Sequence, residues 1–110
     1  MAGGEQQSRI GVTYEEYTIE DIRLIILRAL ADEDNGTMHD GRLEFELRRF
    51  GYNKTRDFIR NQLLWLQDEV GAVRTSEAGS VMIATLRKAG RAHVDRARFL
   101  PGVKRPSDVD

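Results

Sequence analysis

The clearest pattern in the chain is a narrow apolar stripe in its middle third. Apolar side chains recur there at intervals of four, three and four residues, at Ile59, Leu63, Leu66 and Val70. This spacing places them on one side of an α-helix. Before the stripe stand Asn53 and Thr55, whose side-chain oxygens can accept hydrogen bonds from the free N–H groups of a first helical turn. The pattern predicts a helix over residues 55–70. Its opposite side carries Asp57, Arg60, Asn61, Leu64 and Asp68.

A second apolar pattern, nearer the N-terminus, is much broader. It comprises Ile19, Ile22, Ile25, Ile26, Ala29 and Leu30, with Leu24 and Leu27 beside them. Thr18 followed by Asp21 resembles a capping box in which Asp replaces the usual Glu, so we expect a helix from about Thr18 to Glu33. Residues 13–17 are then either an extra helical turn or a short arm. Such a broad apolar face needs burial on several sides, either at the centre of the core or against a second subunit.

Between these two helices the sequence predicts a strand and a short helix. Residues 37–39 fit one edge strand, and Asp40 is expected to cap a helix over residues 41–50 with Leu43, Leu47 and Phe50 inward. Gly51 stands where a helix often ends with a left-handed residue. Two helices joined by a turn that contains glycine form the helix-turn-helix pattern.

The residues after the central helix predict a hairpin and a last helix. Strands are expected at 72–76 and 81–85 with a turn between them. A helix over residues 86–99 should follow, with either His93 or Val94 inward and Pro101 after its end. The remaining segments are a disordered lead, residues 1–12, and an extended C-terminal tail, residues 100–110.

The order of these elements resembles a winged helix-turn-helix domain. The resemblance is carried by the run NKTRDFIRNQLLWLQDEVGAVRTSEAGSVMIATLRKAG. DIRLIILRAL and IATLRKAGRAHVDRARFLPGVKRPS are further similar to small winged-helix proteins of Mu-like phages and prophages. The resemblance implies that residues 13–99 form a mainly α domain with a small β-hairpin, in α/β/α/α/β/β/α order. Two departures are Arg87, where that group has threonine, and one extra residue between Leu66 and Gly71.

Composition narrows the possible functions. The 110 residues contain no cysteine, which excludes disulfides, thiol catalysis and cysteine-based zinc sites. Apolar runs are no longer than four residues, as in LIIL, which is too short to cross a membrane, and we expect a protein of the bacterial cytoplasm. His39 and His93 stand far apart, no metal site is evident, and no catalytic-nucleophile or phosphate-loop motif occurs. We therefore expect neither an enzyme nor a cofactor.

Charge is distributed unevenly along the chain. Residues 1–47 contain four Lys/Arg against eleven Asp/Glu, a net charge of −7, whereas residues 48–106 contain thirteen against five, a net charge of +8. The asymmetry indicates an anionic partner for the basic half. Alternatively, the two halves face each other within the fold or across a dimer. The segment from Arg87 to Arg98 has the same two interpretations, as a second anion-binding surface or as a partner for the acidic half.

If the anionic partner is double-stranded DNA, the predicted contacts are of three kinds. Lys54 and Thr55 at the start of the central helix would hold a phosphate. Arg56, Arg60 and Asn61 would contact bases in the major groove. Arg74 and Ser76 in the hairpin would contact the backbone or the minor groove. Opposing charges stand among them, since Asp57 and Glu77 repel phosphate.

The sequence therefore predicts a phage or prophage DNA-binding protein that inserts the helix at 55–70 in the major groove. A transcriptional regulator that acts as a homodimer is the expected form. The alternative is a winged-helix protein-interaction module of phage assembly or packaging, which would bind another phage protein and would not contact DNA.

Overall fold

A computed structural model of the chain describes residues 13–107, which form four helices and a three-stranded antiparallel sheet. In chain order the elements are α1 (Tyr14–Ala31), β1 (Thr37–His39), α2 (Asp40–Arg49), α3 (Arg56–Asp68), β2 (Val73–Ala78), β3 (Val81–Leu86) and α4 (Lys88–Val94). The elements occur in the predicted order. The predicted lead at residues 1–12 lies outside the described part, as do residues 108–110. None of the helices within residues 13–107 has both the length and the apolar character needed to cross a membrane.

The first helix starts earlier than its sequence pattern suggested. The Thr13 hydroxyl accepts a hydrogen bond from the Glu16 backbone N–H, and the Glu16 carboxylate accepts one from the Thr13 N–H, both at 3.1 Å. This is a complete capping box, so the predicted box of Thr18 and Asp21 is wrong. Residues 14–17 are the first turn of α1 rather than a separate arm.

The broad apolar face of α1 is covered within a single chain. Its six buried residues are Ile22, Leu24, Ile25, Ile26, Leu27 and Leu30. The helix contacts α2, α4 and β3. Of the two sequence-based interpretations, the centre of the core is the one that these contacts support. The breadth of the face is therefore no argument for a second subunit.

The start of α2 differs from the prediction in a way that matters for the candidate site. His39, not Asp40, is the N-cap, and its Nδ1 accepts a hydrogen bond of 3.3 Å from the Arg42 backbone N–H. Asp40 is the first residue of the helix and is fully buried. At the other end, Gly51 has φ +88° as expected, but Phe50 is 62% exposed rather than inward.

Helix α3 follows its predicted pattern most closely. The Thr55 hydroxyl caps the helix by accepting a hydrogen bond of 3.1 Å from the Phe58 N–H. Ile59, Leu63 and Leu66 are fully buried. The helix ends at Asp68, and the chain reverses through Gly71 at φ +63°, where the Ala72 N–H donates to the Leu66 carbonyl at 2.8 Å.

The sheet has the order β1–β3–β2, with both pairs antiparallel. Val73 is buried, and the Thr75 hydroxyl donates to the Gln67 side-chain oxygen of α3 at 2.9 Å. Since successive side chains of a strand point to opposite faces, Arg74 and Ser76 lie on the face turned away from α3. The sheet thus packs one face on the core and leaves the other open.

The last helix is shorter than predicted because Arg96 adopts a left-handed conformation, φ +62°, two residues after α4 ends. The chain then turns back over the domain. His93 is fully buried; the Leu100 N–H donates to its Nδ1 at 2.9 Å, and its Nε2 donates to the Lys104 carbonyl at 2.8 Å. Leu100 and Val103 are buried as well. The described part of the predicted tail, residues 100–107, is therefore packed against the domain and contains no helix.

Candidate nucleic-acid interface

The seven predicted DNA contacts fall in two separate places. Lys54, Thr55, Arg56, Arg60 and Asn61 lie in or before the first two turns of α3, whereas Arg74 and Ser76 lie on β2. The strand turns its Arg74 and Ser76 side chains away from α3. Five of the predicted residues therefore lie together at the start of α3, and the other two lie on the outward face of β2.

The N-terminal end of α3 is open to solvent. Thr55, Arg56, Asp57 and Asn61 are all exposed. Among residues 13–107, the Asn61 side chain has no hydrogen-bond partner, which leaves its amide available to a ligand. Lys54 is half-buried because its ammonium group lies over the Phe58 ring, 4.9 Å from the centroid. A cleft of about 400 Å³ beside this pair is also lined by Glu15 of α1.

Arg60 is held in place by two other elements. Its Nε donates to the Asp40 Oδ2 at 2.6 Å, and its Nη2 donates to the Ser80 carbonyl in the β2–β3 turn. Arg56 approaches the same carboxylate more loosely, at 3.8 Å. Through Asp40 the guanidinium group of Arg60 joins α3 to the start of α2, and through Ser80 it joins α3 to the hairpin. Nε and Nη2 are engaged in these contacts and are not free to contact a base.

The charges of this junction stabilise each other. Burial of Asp40 is the largest single influence on its pKa and would raise it. Hydrogen bonds from Arg60 and from the Met82 and Gly41 backbone act in the opposite direction, and the pKa of Asp40 is lowered overall. The hydrogen bond to Asp40 in turn raises the pKa of Arg60. The pair is ionised at neutral pH, which fixes the hairpin turn relative to α3.

The solvent-facing side of α3 carries balanced charge. Arg56 and Arg60 are offset by Asp57 and Asp68, and the exposed Leu64 lies among them. An array of this kind provides hydrogen-bonding groups and one apolar side chain, but it does not create a strong positive field. Contact with bases or with a protein fits this surface better than attraction of phosphates alone.

A second cationic surface lies at the other end of the hairpin. An open cleft of about 530 Å³ is lined by Val70, Gly71, Arg74, Leu86, Arg87, Lys88, Ala89 and Arg98. The four cations among these residues are exposed, and no acidic side chain contributes to the lining. We call this group, Arg74, Arg87, Lys88 and Arg98, the basic cleft. Only Arg74 of the four was among the predicted DNA contacts.

Comparison with known proteins gives a family relationship. Over 87 residues the chain is 33% identical to the uncharacterized protein gp26 of Escherichia phage Mu, covering 79% of this chain and 88% of gp26. The chain belongs to the gp26 family. No protein-family profile matches it, and no solved structure does. The relationship identifies the chain as a phage protein. Its biochemical activity is argued from the surface of the fold.

Two features of this gp26-family protein explain why the sequence alone did not reveal the basic cleft. The hairpin register pairs Arg74 with Thr85, which brings Arg74 beside Arg87 and Lys88. The reversal at Arg96 then returns Arg98 to the same place. The density of basic residues from Arg87 to Arg98 was the available signal, but only the strand register shows which of them meet Arg74.

Trp65, on the flank of α3, is a packing residue. The guanidinium group of Arg23 lies 3.5 Å from the centroid of its ring, and the same Arg23 donates to the Gln62 side-chain oxygen at 2.8 Å. These contacts tie α3 to α1. Trp65 of this gp26-family protein therefore packs against α1.

Proposed function

We propose that this gp26-family protein is a winged helix-turn-helix protein that binds double-stranded DNA. In this proposal α2 and α3 form the helix-turn-helix, and the β2–β3 hairpin is the wing. The supporting observation is the free end of α3, where Thr55, Arg56 and Asn61 are exposed beside a hairpin turn that Arg60 holds in place. A capped helix of this size fits a DNA major groove.

Each residue at this end has a distinct role in the proposal. Arg56 contacts a phosphate or a guanine, and Asn61 contacts an adenine through two hydrogen bonds. Lys54 and the Thr55 backbone lie at the helix N-terminus, where a phosphate is favoured. Arg60 acts indirectly, by fixing the hairpin turn through Asp40 and Ser80. No cofactor takes part.

A phage transcription regulator is the role that such an interface would serve, and a homodimer would present two α3 helices to a two-fold-symmetric site. The homodimer is a proposal that rests on this symmetry argument alone, because α1 is covered within one chain. Sedimentation of the protein with and without DNA measures the stoichiometry directly.

A second function is favoured by the balanced charge of α3 and by exposed apolar side chains. Phe45 is 54% exposed, Phe50 62% and Leu64 37%. Under this alternative the domain binds another phage protein during assembly or packaging and does not contact DNA. The two proposals differ in one measurable property, since DNA binding weakens steeply with salt.

The test is retardation of mixed-sequence duplex fragments by the wild type and by Arg56→Ala, Asn61→Ala, at about 50 and 200 mM salt. Arg60 is left intact because its removal would disturb the Asp40 junction. The matched control is Arg28→Ala, which removes the same charge from an exposed position on α1. We expect the double variant to bind about tenfold or more weakly than the control. If the double variant and the control retard DNA equally, α3 is not the DNA-contacting helix.

A further inference from the structure

The basic cleft has the chemistry of a phosphate site. Arg74, Arg87 and Arg98 supply planar guanidinium groups that can form two parallel hydrogen bonds to one phosphate, and Lys88 adds a point charge. Within residues 13–107, none of the four forms an ion pair with a carboxylate. By contrast, Arg42, Arg48, Arg49, Arg56 and Arg60 each have an acidic partner within the chain. The cleft thus holds its cations close together without neutralising them.

The location of the basic cleft separates it from the exposed end of α3. The hairpin turn at Ser80 contacts Arg60, whereas the cleft is formed where β2 begins and β3 ends. Strands of six residues span about 20 Å, so the two surfaces lie at opposite ends of the hairpin. Arg74 also points away from the sheet face that packs on α3. A ligand on the start of α3 does not by itself occupy the cleft.

The open form of the cleft indicates the size of its ligand. All four cations are exposed, so a single small anion would remain largely hydrated and would gain little from each of them. A polyanion gains more, because it places several phosphates along the surface and releases its condensed counterions.

We propose that the basic cleft is a second nucleic-acid contact, which binds the phosphate backbone of duplex DNA independently of base recognition by α3. The proposal rests on the proposed function, from which it takes DNA as the polyanion. It adds a surface that contributes affinity and salt dependence but no sequence preference. An acidic protein segment is the competing ligand for the same charges.

The experiment compares two pairs of substitutions with equal charge change. The cleft variant carries Arg74→Ala and Arg87→Ala, which remove two cations from the basic cleft. Its control carries Arg28→Ala and Arg49→Ala, which remove two exposed cations elsewhere. Binding of a fluorescent duplex is measured by anisotropy from about 50 to 200 mM salt, and the folded state of each variant is checked by thermal unfolding. Because each lost phosphate contact lowers the salt slope by about 0.9, the cleft variant should lose about 2 from the slope. Its relative affinity for different duplex sequences should not change.

The outcomes separate this proposal from the α3 proposal. If the cleft variant has the same duplex affinity and salt slope as its control, the cleft proposal is wrong, even where Arg56→Ala, Asn61→Ala still weakens binding. The reverse pattern, with loss in the cleft variant alone, supports the cleft and overturns the role of α3. Wild-type protein that does not retard DNA at low salt overturns both. A last arm adds poly-glutamate or unlabelled duplex, at equal charge concentration, to the wild type bound to the labelled duplex. If poly-glutamate displaces the labelled duplex equally well, the cleft is assigned to an acidic protein partner instead.

Discussion

Gly102 lies directly against the edge of the Trp65 ring. A β-carbon added at Gly102 would fall 2.5 Å from Cη2 and 2.8 Å from Cζ2 of the indole, and Gly102 has a left-handed φ of +84°. The Gly102 carbonyl accepts a hydrogen bond of 2.8 Å from Arg23, whose guanidinium group lies over the face of the same ring. The C-terminal segment, α1 and α3 therefore meet at one indole.

This contact predicts that Gly102→Ala destabilises the domain. The new methyl group must displace backbone or the Trp65 ring, neither of which can move freely. Gly79→Ala is the matched control, since Gly79 also has a positive φ, +60°, but nothing lies within 4 Å of its added β-carbon. We expect Gly102→Ala to lower the free energy of unfolding by about 1–3 kcal/mol more than Gly79→Ala. Urea unfolding followed by Trp65 fluorescence measures both. Equal losses would mean that the segment is not held against the ring.

The Asp40 junction predicts a loss of stability at neutral pH when its charge is removed. Asp40→Asn weakens the hydrogen bonds that Arg60 and two backbone groups make to the buried carboxylate, and it should cost about 1–3 kcal/mol. Asp34→Asn, an exposed position in the turn after α1, should change stability by less than about 0.5 kcal/mol.

The same junction gives a pH dependence of defined sign. The pKa of Asp40 is lower in the folded protein than its ordinary value of 3.8, so the unfolded chain takes up its proton first as pH falls. The stabilisation is fully present above about pH 5 and is lost as pH falls through the folded pKa. Asp40→Asn should therefore show a flatter decline of stability in acid than Asp34→Asn. Parallel acid profiles for the two variants would exclude an ionised Asp40–Arg60 pair.

The hydrogen bond of Tyr52 predicts a loss of stability at high pH. Its hydroxyl donates to the Asp21 carboxylate at 2.7 Å, and this hydrogen bond, with burial, raises the pKa of Tyr52 to about 12. The folded protein keeps the phenolic proton longer than the unfolded chain, so the stabilisation is present below the ordinary value of 10 and is lost as pH rises from 10 to 12. Tyrosinate absorbance should show one group that titrates at high pH. Tyr52→Phe should remove this group, whereas Tyr14→Phe, at an 83% exposed position, should leave it unchanged. A wild-type titration without that late group would exclude the bond to Asp21.

Periodic burial explains which parts of the fold could be predicted from the sequence. The stripe of α3 and its Thr55 cap depend on residues three and four apart, so local pattern determines them. The start of α1 was misplaced because two threonines, Thr13 and Thr18, are each followed by an acidic residue three positions later. Only Thr13 is paired with glutamate, whose longer side chain completes the box.

Contacts between distant residues explain what local pattern could not predict. Asp40 and Arg60 are twenty residues apart, and Asp40 was assigned a capping role because it stands before a helix. Arg74 and Arg98 meet only through the hairpin register and the reversal at Arg96. The open end of α3 was therefore foreseeable, whereas the anchored state of Arg60 and the basic cleft required the three-dimensional structure.

The absence of cysteine from the sequence allows a direct test of which side of α3 faces DNA. A cysteine introduced at Asn61, on the exposed side, can be labelled uniquely with a photoactivatable cross-linker, as can Arg28→Cys on α1 as the control. If α3 enters the groove, the Asn61→Cys conjugate should cross-link to duplex DNA at low salt far more than the Arg28→Cys conjugate does. Raising the salt should abolish the cross-link, because phosphate contacts dominate the affinity. Cross-links of equal yield from both positions would show that DNA meets the protein without using this face of the helix.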